Sequence, residues 1–212
     1  MAGADATRVE AADRIYAPQA PALRLRRRER REQIVAGATR AFARSGFAAT
    51  NLDDVAAEAH ISRVILYRHF ESKIDLYRAV LERACARLES TVGVAAEYTA
   101  DTVDALLRVA AEDPDAFRLL FHHAAREPEF RSDIDELRAA AIAIARRQVA
   151  DQIPDPVWME WASRLAPTVA IEAVIAWLDA GQPAPDQAAR RIRQVLAAII
   201  DAARSPEAVL PD

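Results

Sequence analysis

An all-α fold is the prediction for this chain, and three observations carry it. Apolar residues recur three or four positions apart in almost every segment after residue 24, the spacing that gathers them on one face of a helix. Asparagine, serine or proline stands ahead of these segments as a helix-opening signal. No stretch alternates apolar and polar residues in the way a half-buried strand requires. With 212 residues, of which 52% are hydrophobic and 28% charged, the chain has enough apolar material to bury a core without disulfide or metal staples.

Residues 1–23 are rich in alanine, carry Pro18 and Pro21 and show no period, so they read as a flexible tail. A helix is expected from Arg24, with Ile34, Ala38, Ala41 and Phe42 on one face, and Gly46 supplies the positive φ that ends it. Asn51, with Asp54 three residues on, opens a short helix whose inner face is Leu52, Val55, Ala56 and Ala59. Ser62 opens another. Residues 58–61 between them are too few for anything but a tight turn, so the two helices must cross steeply to share a core; this is helix-turn-helix spacing. Ser72 opens a longer helix, faced by Leu76, Val80, Ala84 and Leu88, that leads out of a small domain assigned to residues 24–75 and into a larger one at 76–212.

In the larger domain Pro114 opens a helix containing Phe117, Leu120 and Phe121, and Pro128 stops it. Residues 129–152 follow as a helix. Pro154 and Pro156 open a long segment to Gly181, with Pro167 as a point of kinking because proline lacks the helical N–H donor. Pro185 starts the last helix.

Several function classes drop out. The five glycines are scattered, so no loop can cradle a nucleotide phosphate. The single cysteine, Cys85, excludes an intrachain disulfide or a CxxC site and reads as a small buried hydrophobe. No apolar run reaches the roughly 18 residues that span a bilayer, and the N-terminus lacks a secretory pattern; the expectation is a cytoplasmic protein with no membrane partner. His123 and Glu127 have i, i+4 spacing but no third ligand, so neither metal nor cofactor is expected. No activated nucleophile stands out, and an enzyme is not the first reading.

Charge is distributed unevenly. Residues 24–78 hold eleven arginines and Lys73 against seven acids, a balance of +5 in a chain whose net charge is −4. Positive potential therefore sits on the helix-turn-helix segment, where it suits a polyanion such as DNA. In this geometry the N-terminal part of the second helix, here Ser62, Arg63, Val64 and Ile65, enters the major groove. Arg63 can fork onto guanine O6 and N7, while Val64 or Ile65 can meet a thymine methyl. Arg68 can reach either a base or a phosphate. Arg24, Arg26, Arg27, Arg28, Arg30 and Arg31 form a basic cluster suited to flanking phosphates or a narrow minor groove.

The run from Thr50 to Lys73, with Leu66-Tyr67-Arg68-His69-Phe70 followed by Ser72-Lys73 and preceded by Phe42 and Gly46-Phe47, closely resembles the DNA-binding domain of the tetracycline-repressor (TetR) family of transcriptional regulators. The resemblance covers residues 30–80. It implies phosphate contacts by Thr50, Tyr67, His69 and Lys73, with Asn51 beside them. Two departures from the family pattern occur: His60 stands where the turn usually has glycine, and Val64 and Ile65 replace small residues. Histidine tolerates positive φ better than a branched residue.

The resemblance further implies an effector cavity in the large domain, and the candidate ligand residues are Phe117, Phe121, His123, Trp158, Trp161, Thr168 and Glu172. His122, Arg126 and Arg164 are their polar neighbours. The last two helices carry more apolar surface than a peripheral pair needs, which points to a four-helix homodimer interface of the kind the family uses, with Val174, Trp177, Ile192, Val195 and Ile199 as candidates. The resulting expectation is a homodimeric repressor that binds a palindromic operator on double-stranded DNA and is released by a small-molecule effector. The competing readings are an all-α enzyme that retains a helix-turn-helix-like domain and a constitutive DNA-binding protein without a ligand.

Overall fold

The computed structural model describes residues 19–92 and 101–204. Nine α-helices make up the described residues, and no strand occurs among them. The all-α prediction holds. The helices are α1 (Gln19–Ala49), α2 (Leu52–Glu58), α3 (Arg63–Tyr67), α4 (Lys73–Val92), α5 (Thr102–Glu112), α6 (Pro114–Arg118), α7 (Arg131–Val149), α8 (Pro156–Asp179) and α9 (Pro185–Arg204). Helix α6 runs on as a π turn (Leu119–His123) and a 3₁₀ turn (Ala124–Arg126), and a second 3₁₀ turn (Pro128–Phe130) precedes α7.

The start signals work as their chemistry requires. Asn51 and Asp54 form a reciprocal capping box on α2, each side chain taking the other's backbone N–H. Ser62 caps α3 and Ser72 accepts the Asp75 N–H at the start of α4. Asp113 and Asp155 cap α6 and α8, each followed by proline, whose missing N–H costs nothing in a first turn. Helix α8 continues through Pro167 to Asp179.

Helix α1 begins at Gln19, five residues before the expected start at Arg24, so the end of the expected tail is helical; the rest of that tail lies outside the described residues. At Gly46 φ is 76°, which interrupts α1 and turns Phe47 inward. Phe42, Phe47, Tyr77 and Phe130 then meet in one aromatic cluster, with Tyr77 and Phe130 ring centroids 4.5 Å apart. Phe130 reaches this cluster from the 3₁₀ turn before α7, so the large domain plugs into the floor of the small one. A single hydrophobic core runs from Ile34 and Val55 through Tyr77 and Leu88 to Phe117, Val174 and Ile192. Helix α4 crosses the expected boundary at residues 75–76 and belongs to both sides of that core. A second, smaller core joins the ends of α7 and α9 to the start of α8 through Val149, Ile153, Ala162, Ile199 and Ala203.

Candidate nucleic-acid interface

Helices α1, α2 and α3 are locked by close approach. A Cβ built on Gly37 would lie 2.7 Å from both Cα and Cβ of Ala59, so only glycine lets α1 meet the end of α2. From α1, Gln33 Nε2 donates to the Ala59 carbonyl at 2.7 Å and Arg40 donates to the Glu58 carbonyl at 3.1 Å, satisfying the last acceptors of α2. Glu58 also accepts from Arg40 and Arg44, and these bonds hold its carboxyl below the usual range.

The turn that follows is a Schellman motif. The His60 N–H donates to Ala57 O and the Ile61 N–H to Ala56 O, with His60 at φ 54°. Histidine therefore occupies the left-handed position usually given to glycine, and the turn keeps its geometry. Helix α3 leaves this turn with Leu66 buried and the opposite face open: Val64 is 64% exposed, and Arg63, Tyr67 and Arg68 stand out beside it. Ile65 is half-buried.

Arg63 is already held in the free chain. Its Nη1 donates to Asp53 Oδ2 at 3.1 Å, its Nη2 donates to the Tyr67 hydroxyl at 3.3 Å, and its guanidinium lies 5.6 Å from the Tyr67 ring centroid. The Tyr67 hydrogen bond and the Asp53 charge together raise its pKa. Asp53 was not among the residues singled out from the sequence; its signal is positional, since the helix-turn-helix geometry brings the first turn of α2 to the start of α3.

His69 ends this stretch half-buried, and its pKa is lowered by burial first and then by Arg27, Arg30 and Arg31. Those arginines therefore lie along the same face as the α3–α4 turn. Arg31 also stacks 5.0 Å from the Phe70 ring centroid. Arg26, Arg27, Arg28, Arg30 and Arg31 are all exposed.

Two expected phosphate ligands point elsewhere. Thr50 is only 2% exposed, and its hydroxyl lies 2.7 Å from the Gly46 carbonyl and 3.2 Å from that of Ala41, so it closes the end of α1. The Lys73 ammonium donates to the carbonyls of Phe47 at 2.7 Å, Thr50 at 3.0 Å and Ala48 at 3.4 Å, and lies 4.4 Å from the Phe47 ring centroid. Its three N–H donors are thereby engaged. In the free chain both residues tie the α1–α2 junction together.

The large domain departs further from expectation. A cleft of about 260 Å³, counting the space open to solvent, is lined by Ala84, Leu88, Val109, Phe117, Leu120 and Phe121, with Arg87 and Asp113 beside them. Phe117 and Phe121 face it, as expected, with ring centroids 4.8 Å apart. The other candidates lie elsewhere. His123 is half-buried beside Gly46 at the junction with α1. On α8, Trp158 and Trp161 are 47% and 39% exposed and pack edge to face, 5.7 Å apart. Thr168 is exposed and donates back to the Arg164 carbonyl, while Glu172 is exposed opposite His122 at 3.5 Å. The same 3–4 spacing describes an inner or an outer helical face, and on α8 it is the outer one.

The interface candidates reverse in the same way. Val174, Trp177, Ile192 and Ile199 are buried within the single chain, and Trp177 Nε1 donates to the Pro183 carbonyl to anchor the α8–α9 turn. Only Val195 of that set is strongly exposed, at 48%.

Comparison with known proteins agrees with this geometry. The family model of bacterial regulatory proteins of the TetR family matches residues 34–80. The HTH-type transcriptional activator FasR of Mycolicibacterium smegmatis is 33% identical over 140 residues, which are 62% of this chain and 60% of that protein. The HTH-type transcriptional repressor SCO4008 of Streptomyces coelicolor is 29% identical over 136 residues, covering 58% of this chain and 69% of the relative. The chain thus spans about three fifths of FasR. In overall fold it is similar to a TetR-like transcriptional regulator from Rhodococcus sp. RHA1, with a TM-score of 0.69 at 19% identity over 79% of this chain and 93% of that one. The helix-turn-helix built on Gly37, the His60 turn and the Tyr67–Lys73 segment therefore coincides with the region, residues 34–80, that matches the TetR family of bacterial regulatory proteins.

Proposed function

We propose that the chain is a homodimeric transcriptional regulator that reads a palindromic DNA site through α3 and responds to an apolar small molecule. The observation that carries this reading is the open face of α3, with Arg63, Val64, Tyr67 and Arg68 exposed on a segment, residues 24–78, of balance +5. Arg63 forks onto a guanine, Val64 meets a thymine methyl, and the arginines of α1 beside His69 contact flanking phosphates. Asn51 and Ser62 place the starts of α2 and α3, while Thr50 and Lys73 act from within the domain.

A second copy supports the dimer through the outer face of α8 and α9. Among the described residues, Val157, Trp158, Trp161 and Val195 are the large apolar residues exposed outside the DNA-binding helices and α4, and such a surface calls for cover. Effector binding is supported by the apolar lining of the cleft between α4, α5 and α6. As it stands the enclosed space is about 10 Å³, room for about one water molecule, so helices must part substantially to admit a drug-sized ligand, which needs roughly 300 Å³ or more. The repressor direction is the expected one, although FasR is an activator and SCO4008 a repressor. Selection of bound fragments from a random DNA pool tests the reading: the enriched sequences should share a palindrome, and failure to enrich any sequence would refute it.

A further inference from the structure

We infer that Asp53 is a specificity-determining residue, which holds Arg63 against Tyr67 so that the recognition arginine meets DNA as an oriented fork and not as a mobile cation. This rests on the DNA-binding reading above. Asp53 and Asp54 share the first turn of α2, but their carboxylates have separate tasks: Asp54 accepts the Asn51 N–H in the capping box, and Asp53 accepts from Arg63. Tyr67 completes the clamp one helical turn beyond Arg63, with its hydroxyl on Nη2 and its ring beside the guanidinium.

The side chains of Asp53 and Arg63 are 64% and 57% exposed, so the pair is screened by solvent and contributes little to folding. Its consequence is geometric. A guanidinium has five N–H donors; with one on Nη1 and one on Nη2 engaged, each of these nitrogens keeps a second donor for guanine O6 and N7.

The charge of Asp53 acts in the opposite sense. A carboxylate beside the groove-facing end of α3 repels the phosphate backbone whatever the sequence, so it lowers affinity for every duplex. It also occupies a cation at the start of α3 that an incorrect sequence would otherwise recruit to a phosphate. On the correct sequence the arginine makes its base contact from the position where Asp53 already holds it. Discrimination is a difference of affinities, and a group that weakens the wrong complex more than the right one increases it.

The test is Asp53→Asn in the full chain, titrated against an enriched duplex and a scrambled one across a salt series. The expected result is about three- to tenfold tighter binding of scrambled DNA, a salt slope steeper by about 0.9 as the freed arginine takes a phosphate, and an enriched-to-scrambled ratio reduced about fivefold or more. Glu71→Gln is the control, since it removes an exposed acid of the same domain that has no ion-pair partner among the described residues; it should shift both affinities alike. In an Arg63→Ala background, Asp53→Asn should leave the ratio unchanged. A ratio unaltered in Asp53→Asn, or lowered equally without Arg63, would overturn the inference. If the unmodified protein shows no preference for any duplex, it is the DNA-binding reading itself that fails.

Discussion

Lys73 shows how a residue can match a family pattern and still act in a different place. It is the only lysine of the chain, and the resemblance sends it to a phosphate, yet its ammonium is spent on three carbonyls at the α1–α2 junction. The two roles differ in salt dependence. Lys73→Met should lower stability by about 1–3 kcal/mol by stranding part-buried carbonyls, and it should weaken DNA binding with the slope of log K against log salt unchanged. A slope shallower by about 0.9 with an unaltered denaturation midpoint would instead identify a phosphate contact. Capping residues were legible in the sequence because their chemistry is local: Asn51, Ser62 and Ser72 each act within three residues. The partners of Lys73, Asp53 and Gly37 lie 10 to 26 residues away, and no local pattern announces them.

Among the elements, the α1–α2 contact carries a pH dependence whose sign follows from Glu58. Hydrogen bonds from Arg40 and then Arg44 lower its pKa in the folded chain. A carboxylate depressed on folding contributes stability above its unfolded value, and that contribution disappears as pH falls through the folded value. Glu58→Gln should therefore destabilise at pH 7, by less than about 1 kcal/mol because its partners Arg40 and Arg44 are about half-exposed and solvent screens the pairs. Urea denaturation should find the two proteins converging as the pH drops below the ordinary carboxylate range. Convergence at high pH instead would contradict the assignment. Helices were legible as elements because a 3.6-residue apolar period survives in each. Their outward faces were not, and α8 illustrates why: Trp158, Trp161, Thr168 and Glu172 share a stripe, but periodicity leaves open which side of the helix the core takes. Val174, Trp177 and Leu178 settle it by packing inward.

For the whole molecule, the unbroken core from Ile34 to Ile192 joins the DNA-facing helices to the cleft through α4 and the Phe47–Tyr77–Phe130 cluster. Under the function proposed above, this connection would be the physical route by which a ligand in the cleft biases the spacing of two α3 helices, provided that the ligand favours one arrangement. The same packing separates assembly from folding. Trp161→Glu, on the outer face of α8, should convert a dimer to monomer in sedimentation while keeping its helical content; Ile199→Asp, inside the second core, should unfold or aggregate the chain. An unmodified protein that sediments as a monomer at micromolar concentration would contradict the dimer. The fold class and the helix-turn-helix could be read from sequence because both rest on periodicity and a short motif. Of the cleft only Phe117 and Phe121 were legible, because the rest of its lining is assembled from α4, α5, α6 and the turn after α6.

The central claim is that the exposed face of α3 reads base sequence, and a paired equilibrium titration tests it most directly. Fluorescence anisotropy would follow the unmodified protein and Arg63→Ala on an enriched duplex and on a scrambled one at fixed salt. The account predicts that the unmodified protein prefers the enriched duplex by about 10³-fold or more, and that Arg63→Ala loses about 1–3 kcal/mol on that duplex while its binding to scrambled DNA changes little. Equal affinity of the unmodified protein for the two duplexes, or equal losses on both when Arg63 is removed, would contradict it.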